Sequence, residues 1–351
     1  MRYSVVQKIE IWLINRVISV IWYIDLLTGY PINQSLRFAS RPYIFVSLIL
    51  IGVLTYFIYI PYLMGSKVIS YKKDANKEIV LNSNETPVVL GSSAAKIPAK
   101  IVENPFPIIT AKSAFVADVN SDSVLYSVNA DKKYASASTT KLMTALVALN
   151  IYELDDTLTM SKECSEVDSS KANLPPGEKF TVSSLLNAML VNSAGDAACL
   201  LGTGKIDSNE YLYLMNEMAY DLKMENTFFT NTIGLDGLNG AQFSSAKDLY
   251  ILAKATMKNA ILKEIVGKPE VTIDSYNDTY KATLESTNKL LKEIPYSVGV
   301  KTGTTQEAGE VLIYEYSKDS TNLMIIVMGS QDRFSDTRAI LDWALRTYKW
   351  E

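Results

Sequence analysis

Histidine is absent from all 351 residues of the chain. That absence excludes Ser-His-Asp and Cys-His catalysis, together with every zinc or iron site built on imidazole. Cysteine is nearly as scarce. Cys164 and Cys199 are the whole complement, too few for a thiolate metal cage or a disulfide framework. They can pair in an oxidising compartment, but the plainer expectation is two unpaired, largely buried thiols, because free cysteine behaves as a small hydrophobe. Basic residues do not outnumber acidic ones, at 34 Lys+Arg against 38 Asp+Glu. With no basic excess to neutralise phosphates, the balance argues against a dedicated nucleic-acid binder. No internal repeat is visible.

What is present begins with a long apolar run. Residues 43–64 (YIFVSLILIGVLTYFIYIPYLM) carry no charge over about the length a bilayer core requires. No small-residue cleavage site follows, so an uncleaved transmembrane anchor is expected rather than a removed signal peptide. Basic residues flank both ends (Arg37 and Arg41 before, Lys67, Lys72 and Lys73 after), so the positive-inside rule does not orient the span. Upstream, residues 9–27 are apolar but broken by Glu10, Arg16 and Asp25. Residues 1–42 therefore read as an interfacial, amphipathic segment on the cytoplasmic side, with Trp12, Trp22 and Tyr23 as anchors. A Ser-, Lys-, Ala- and Asn-rich stretch at 65–104 reads as a linker, leaving 105–351 as one large domain.

Within that domain the spacing predicts a hairpin at 114–119 and 124–128, then a helix over 142–149, then a mostly helical middle from 152 to 262. Strands return at 297–302, 311–316 and 323–328, and a closing helix starts near Ser335 or Asp336. Strands and helices from both ends bracket a helical insert. The fold class that follows is mixed α/β (α+β): an antiparallel sheet flanked by helices, plus a helical lobe, behind an N-terminal transmembrane helix.

Three short elements carry chemistry. In Ser138-Thr139-Thr140-Lys141, residues three apart share a helix face, so the Lys141 amine can reach the Ser138 hydroxyl. The helix N-terminus places positive potential beside an oxyanion. With no histidine available, a lysine whose pKa is lowered is the candidate base. The second element, Val191-Asn192-Ser193-Ala194-Gly195-Asp196, breaks two apolar helices. Asp196 suits an N-cap, and Ser193 is either a cleft hydroxyl or a plain turn serine. The third, Val298-Gly299-Val300-Lys301-Thr302-Gly303-Thr304-Thr305, reads as a strand with Lys301 on one face and Val300 and Thr302 on the other. Gly303 would let a peptide lie against its backbone.

In this order and spacing, the three elements resemble the active-site set of penicillin-binding proteins and serine β-lactamases. The resemblance is closer to the low-molecular-weight D-alanyl-D-alanine carboxypeptidases. It extends through Asn231-Thr232-Ile233-Gly234-Leu235-Asp236, Ser286-Thr287-Asn288-Lys289-Leu290-Leu291 and Gly299 to Gly309. It implies a DD-peptidase-like fold and a two-step acyl transfer on peptidoglycan stem peptides, with β-lactams as inhibitors and no metal or organic cofactor. It also implies the roles. Ser138 is the nucleophile, Lys141 the base and Ser193 the proton relay. Lys301, Thr302, Gly303 and Thr304 bind substrate, and the backbone N–H groups of Ser138 and Thr304 form the oxyanion hole. Because that substrate lies outside the cytoplasm, the expected location is the cell membrane, single-pass, with the catalytic domain outside. Two alternatives share the fold: a catalytically impaired cell-wall-binding protein and a serine β-lactamase. The family's second element ends in asparagine, where this chain has Gly195. Asn192 is close in sequence but offset, so it does not simply take that asparagine's place. Ile233 stands where the family carries histidine, at a site read as structural.

Overall fold

The computed structural model describes residues 97–237 and 241–350. The expected span at 43–64, the segment at 1–42 and most of the expected linker lie outside the described residues. Among the described residues no helix is long and apolar enough to cross a membrane.

The described chain opens with the short strand β1 (Ala99–Lys100), followed by the hairpin of β2 (Ser113–Asp118) and β3 (Val124–Val128). Asp118 fixes the hairpin turn by accepting from the Ser121 amide at 2.8 Å and hydroxyl at 2.6 Å. A 3-10 turn, Ala137–Thr140, runs straight into α1 (Lys141–Ile151). Then come β4 (Thr157–Thr159), the single turn α2 (Lys162–Ser165) and β5 (Lys179–Thr181). The helical lobe continues through α3 (Val182–Val191), α4 (Gly195–Thr203) and α5 (Ser208–Asp221), then α6 (Ala246–Lys258) and α7 (Ala260–Val266). A second hairpin, β6 (Glu270–Asp274) with β7 (Lys281–Glu285), and the short α8 (Leu290–Glu293) lead to three long strands. These are β8 (Ser297–Thr305), β9 (Gly309–Lys318) and β10 (Thr321–Ser330). The chain closes with α9 (Arg333–Thr347) and β11 (Tyr348–Lys349).

The sheet is five-stranded and antiparallel, in the order β3-β2-β10-β9-β8. Side chains alternate across a strand, and both faces of this sheet are covered. On β10, Leu323, Ile325 and Val327 pack with Ile340, Leu341 and Trp343 of α9, while Met324, Ile326 and Met328 join the core of the helical lobe. That double burial explains why 323–328 reads as an unbroken apolar run rather than an alternation. Among the described residues β8 is an edge strand, hydrogen-bonded only to β9.

Two boundaries differ from the sequence reading. α9 starts at Arg333, because the Asp332 carboxylate accepts from the Phe334 and Ser335 amides and caps it. Asp336 is instead buried, and it accepts from the Thr110 and Ala111 amides and the Ser330 hydroxyl. The folded unit also reaches back into the stretch read as linker, since β1 pairs with β11 through Ala99↔Lys349 and Lys100↔Tyr348. The middle of the chain, read as helices and loops, holds the added strand pair β4–β5.

Candidate active site

Ser138 lies on the 3-10 turn, just ahead of α1 rather than within it. Ala137 holds that turn at a φ of 48°, a strained value for a residue with a Cβ and one that concentrates at functional sites. The turn is clamped from two sides by glycines. A Cβ on Gly234 would sit 2.0 Å from the Ala137 carbonyl oxygen, and one on Gly303 2.9 Å from the Ala137 Cβ and 3.0 Å from the Ser138 nitrogen. Gly303 is thus required for β8 to press against the nucleophile's own backbone.

Lys141 Nζ donates to Ser138 Oγ at 2.9 Å and to the Ile233 carbonyl at 2.6 Å. The second bond exists because Asn231 Oδ1 accepts from the amides of Ile233, Gly234 and Leu235, folding 231–235 into a tight loop whose carbonyl points at the lysine. Lys141 is fully buried. Burial without an ion-pair partner pushes its pKa down to about 7, with the Asp196 carboxylate pulling the other way. A lysine so placed is neutral for a large fraction of the time near neutrality, which is what a general base needs.

Lys301, 1% exposed, donates to Ser193 Oγ at 2.9 Å and to the Thr302 carbonyl at 3.1 Å. Burial, and then the nearby Lys141 and Arg333 charges, hold its pKa well below the ordinary lysine value. Ser193 adopts a φ of 65°, so its turn conformation is set by position rather than preference. Of its two open readings, the Lys301 bond favours the cleft hydroxyl. Thr302 Oγ1 lies 2.6 Å from Thr287 Oγ1, and Thr304 is exposed.

Sequence reading missed Arg333. Its Nη1 donates to the Gly303 carbonyl at 2.7 Å and also to Thr304 Oγ1, and its Nε is buried without a hydrogen-bond partner. It stands at the start of α9, thirty-odd residues from the strand it serves, with no local pattern to mark it. A groove of about 490 Å³ lies over Arg333, lined also by Thr287, Lys289 and Arg338 and by the acidic Glu293, Glu310 and Asp332.

The second element departs from expectation. Ala194, not Asp196, is the N-cap of α4. Asp196 is fully buried and accepts from the Ala172 and Leu174 amides, both at 3.1 Å. It therefore fastens the 166–174 loop onto α4. Asn192 donates to the Glu285 carbonyl at 3.2 Å, a bond that turns it to β7 and makes it no substitute for the absent asparagine. The two cysteines are bonded to one another, Cys164 on α2 to Cys199 on α4. The expectation of two free thiols is corrected: packing brings both chains side by side, a proximity hidden by their sequence separation of 35. Among the described residues no cluster of metal-ligating side chains is found.

A family model described as D-alanyl-D-alanine carboxypeptidase matches residues 99–332. The chain belongs to that family. Among curated relatives, it is 31% identical over 248 residues to the D-alanyl-D-alanine carboxypeptidase DacF of Bacillus subtilis, covering 68% of this chain and 63% of that protein. It is 28% identical over 245 residues to DacB2 of Mycobacterium tuberculosis, covering 68% and 84%. Among solved structures, the Streptomyces K15 DD-transpeptidase superposes with a TM-score of 0.66 at 29% identity, covering 69% of this chain and all of that one. The family's mixed fold, with helices around an antiparallel sheet, is the fold described above.

Proposed function

We propose that this protein is a serine D-alanyl-D-alanine carboxypeptidase that removes the terminal D-alanine from peptidoglycan stem peptides through an acyl-enzyme. The observation that carries the reading is the pair of bonds Lys141–Ser138 and Lys301–Ser193, both at 2.9 Å, inside a cleft bounded by an unpaired strand edge. An extended peptide laid along β8 would gain backbone hydrogen bonds from that edge. Its terminal carboxylate would meet Thr302, Thr304 and Arg333, where a charge-assisted bond is strongest.

Ser138 Oγ then attacks the carbonyl carbon of the penultimate D-alanine while its proton passes to neutral Lys141. The tetrahedral oxyanion lies against the Ser138 and Thr304 amides. On collapse the C–N bond breaks, and the leaving amine takes a proton through Ser193, leaving an ester on Ser138. Water, deprotonated by Lys141, hydrolyses that ester and restores the serine. Burial keeps Lys141 able to accept a proton, and Lys301 holds the Ser193 hydroxyl in place.

Support for an extracytoplasmic location comes from the substrate and from the Cys164–Cys199 bond, since disulfides persist in oxidising compartments. Residues 43–64 would anchor the chain with its N-terminus inside. Protease added to spheroplasts should then remove the domain and spare a short N-terminal fragment; protection of the whole chain rejects this topology.

Mass spectrometry of pentapeptide muropeptides incubated with the full-length protein tests the activity. Loss of one D-alanine, abolished by Ser138→Ala, is expected. Unchanged pentapeptide together with no penicillin labelling of Ser138 would favour the non-catalytic wall-binding alternative, and rapid turnover of a chromogenic β-lactam the lactamase.

A further inference from the structure

Gly195 opens a gap in the cleft wall that another residue fills. A Cβ built on Gly195 would lie 1.8 Å from Ser169 Oγ, 3.0 Å from Ser169 Cβ and 3.2 Å from Ile233 Cγ2. The Ser169 hydroxyl therefore occupies the volume where any side chain at 195 would begin. Its neighbours in the chain and in space belong to the two lysine pairs. Ser193, two residues before, is held by Lys301, and the Ile233 carbonyl takes the Lys141 bond.

The loop that delivers Ser169 is fastened at several points. The Gly195 amide donates to the Ser170 carbonyl at 2.6 Å, Asp196 takes the Ala172 and Leu174 amides, and the Tyr280 hydroxyl donates to the Ala172 carbonyl at 2.7 Å. The Cys164–Cys199 bond ties the preceding α2 to α4. Ser169 itself makes one weak local bond, its hydroxyl donating to the adjacent Ser170 carbonyl at 3.1 Å. A hydroxyl rotates freely and offers one donor and two acceptor positions, so it can turn to a ligand at small cost.

We propose that Ser169 is a substrate-binding residue of this enzyme, its hydroxyl donating from the 166–174 loop to the amide carbonyl on the acyl side of the substrate. Gly195 is glycine so that this hydroxyl can enter. The proposal rests on the acyl-transfer reading above and adds the residue that grips the acyl-side peptide.

Two β-lactams separate this role from a structural one. Benzylpenicillin carries a side-chain amide carbonyl, and 6-aminopenicillanic acid has the same ring system with a free amine in its place. One neutral hydrogen bond corresponds to a rate factor of about three to ten. Ser169→Ala in the full chain should therefore lower acylation by benzylpenicillin about three- to tenfold more than acylation by 6-aminopenicillanic acid. Equal loss on both compounds would mean that the serine only supports the loop, and no loss on either that it does not touch the ligand. Either result overturns the proposal. The volume argument has its own test. Gly195→Asn alone should slow benzylpenicillin, because the new side chain meets Ser169, and Ser169→Gly added to it should recover rate by severalfold. A gain from Gly195→Asn with Ser169 intact would overturn the assignment. If the natural protein is acylated by neither compound, the functional reading fails and this proposal with it.

Discussion

The two walls of the cleft are built by different means. One wall comprises the turn of Ser138, the start of α1 and strand β8. It is held by the secondary structure itself: a three-residue helical spacing, a strand's alternation and two glycines that let backbones touch. The opposite wall is the start of α4 with the 166–174 loop laid on it. It is held by a disulfide, by Asp196 and by single backbone bonds between segments some 25 residues apart. The first wall carries the reactive groups and follows the family's pattern. The second, at Gly195, has changed the residue while filling the same space from another part of the chain. Chemistry constrains the Ser138 turn and α1 atom by atom; on the second wall it constrains Ser193, which Lys301 holds at 2.9 Å, while the rest has to present a shaped, polar surface.

The largest effect that sharpens this contrast is expected at Lys141. Lys141→Met should abolish acylation, a loss on the order of a thousandfold or more for a general base that also positions the nucleophile. The same variant should be more stable, because an amine held near pKa 7 instead of 10.5 is a group the fold buries at a cost. The sign follows from linkage. The unfolded chain binds a proton at Lys141 that the folded chain has released. Natural-protein stability should therefore climb as pH rises from about 7 towards 10.5 and stay level with respect to this group below 7. The penalty, several kcal/mol at pH 7, is partly offset by the lost bonds to Ser138 and Ile233. A net gain of ~1–3 kcal/mol, a few degrees in melting temperature, is expected by calorimetry. Acylation by the natural enzyme should rise with pH through about 7. A rise only near pH 10 would show that burial does not set the base.

Arg333 belongs to the first wall in space but not in sequence. Its donors meet Gly303 and Thr304, and charged hydrogen bonds are worth ~1.5–3 kcal/mol. Arg333→Ala should lower kcat/KM for pentapeptide about ten- to a hundredfold, while a substrate ending in an amide in place of the carboxylate should lose far less. Equal losses would remove Arg333 from carboxylate binding.

The strands of the sheet, α1 and the body of the closing helix were legible because each is announced within a dozen residues by an apolar run or a helical spacing, although the Asp332 cap of the closing helix was not. The closeness of Lys141 to Ser138 followed from their three-residue spacing, whereas the roles proposed for Ser138, Lys141 and Lys301 come from the resemblance of the three motifs to the family. What was not legible depends on contacts with no local signature. Arg333 is a lone arginine near a helix start. Asp196 has the composition of an N-cap and is positioned two residues too far in. The cysteine pair, at a separation of 35, looks like two buried thiols until α2 is laid against α4.

The second wall should therefore break differently. Removing the disulfide by Cys199→Ser with Cys164→Ser should cost roughly 3–4 kcal/mol of stability for a loop of this size. Acylation should fall only a few-fold, because Ser138 and Lys141 are held independently. Denaturant titration and penicillin kinetics on the same protein would measure both. A loss of acylation as large as that of Lys141→Met would mean that the two walls are one cooperative unit, and the contrast would fail.

The smallest effect is expected at Asn192, and it decides how the chain has accommodated Gly195. Asn192 is the only amide in this stretch and the natural candidate for an asparagine displaced in sequence. Its Nδ2 donates to the Glu285 carbonyl at 3.2 Å, and its backbone forms the end of α3, so its side chain turns to β7 and away from the cleft. Truncating it removes one partly exposed neutral bond, worth ~0.5–1.5 kcal/mol to folding, and nothing from the transition state. Asn192→Ala should therefore leave acylation by benzylpenicillin within about twofold. A tenfold loss, with stability nearly unchanged, would show that the side chain leaves β7 when ligand enters. It would then be Asn192, and not a residue of the 166–174 loop, that supplies what Gly195 lacks.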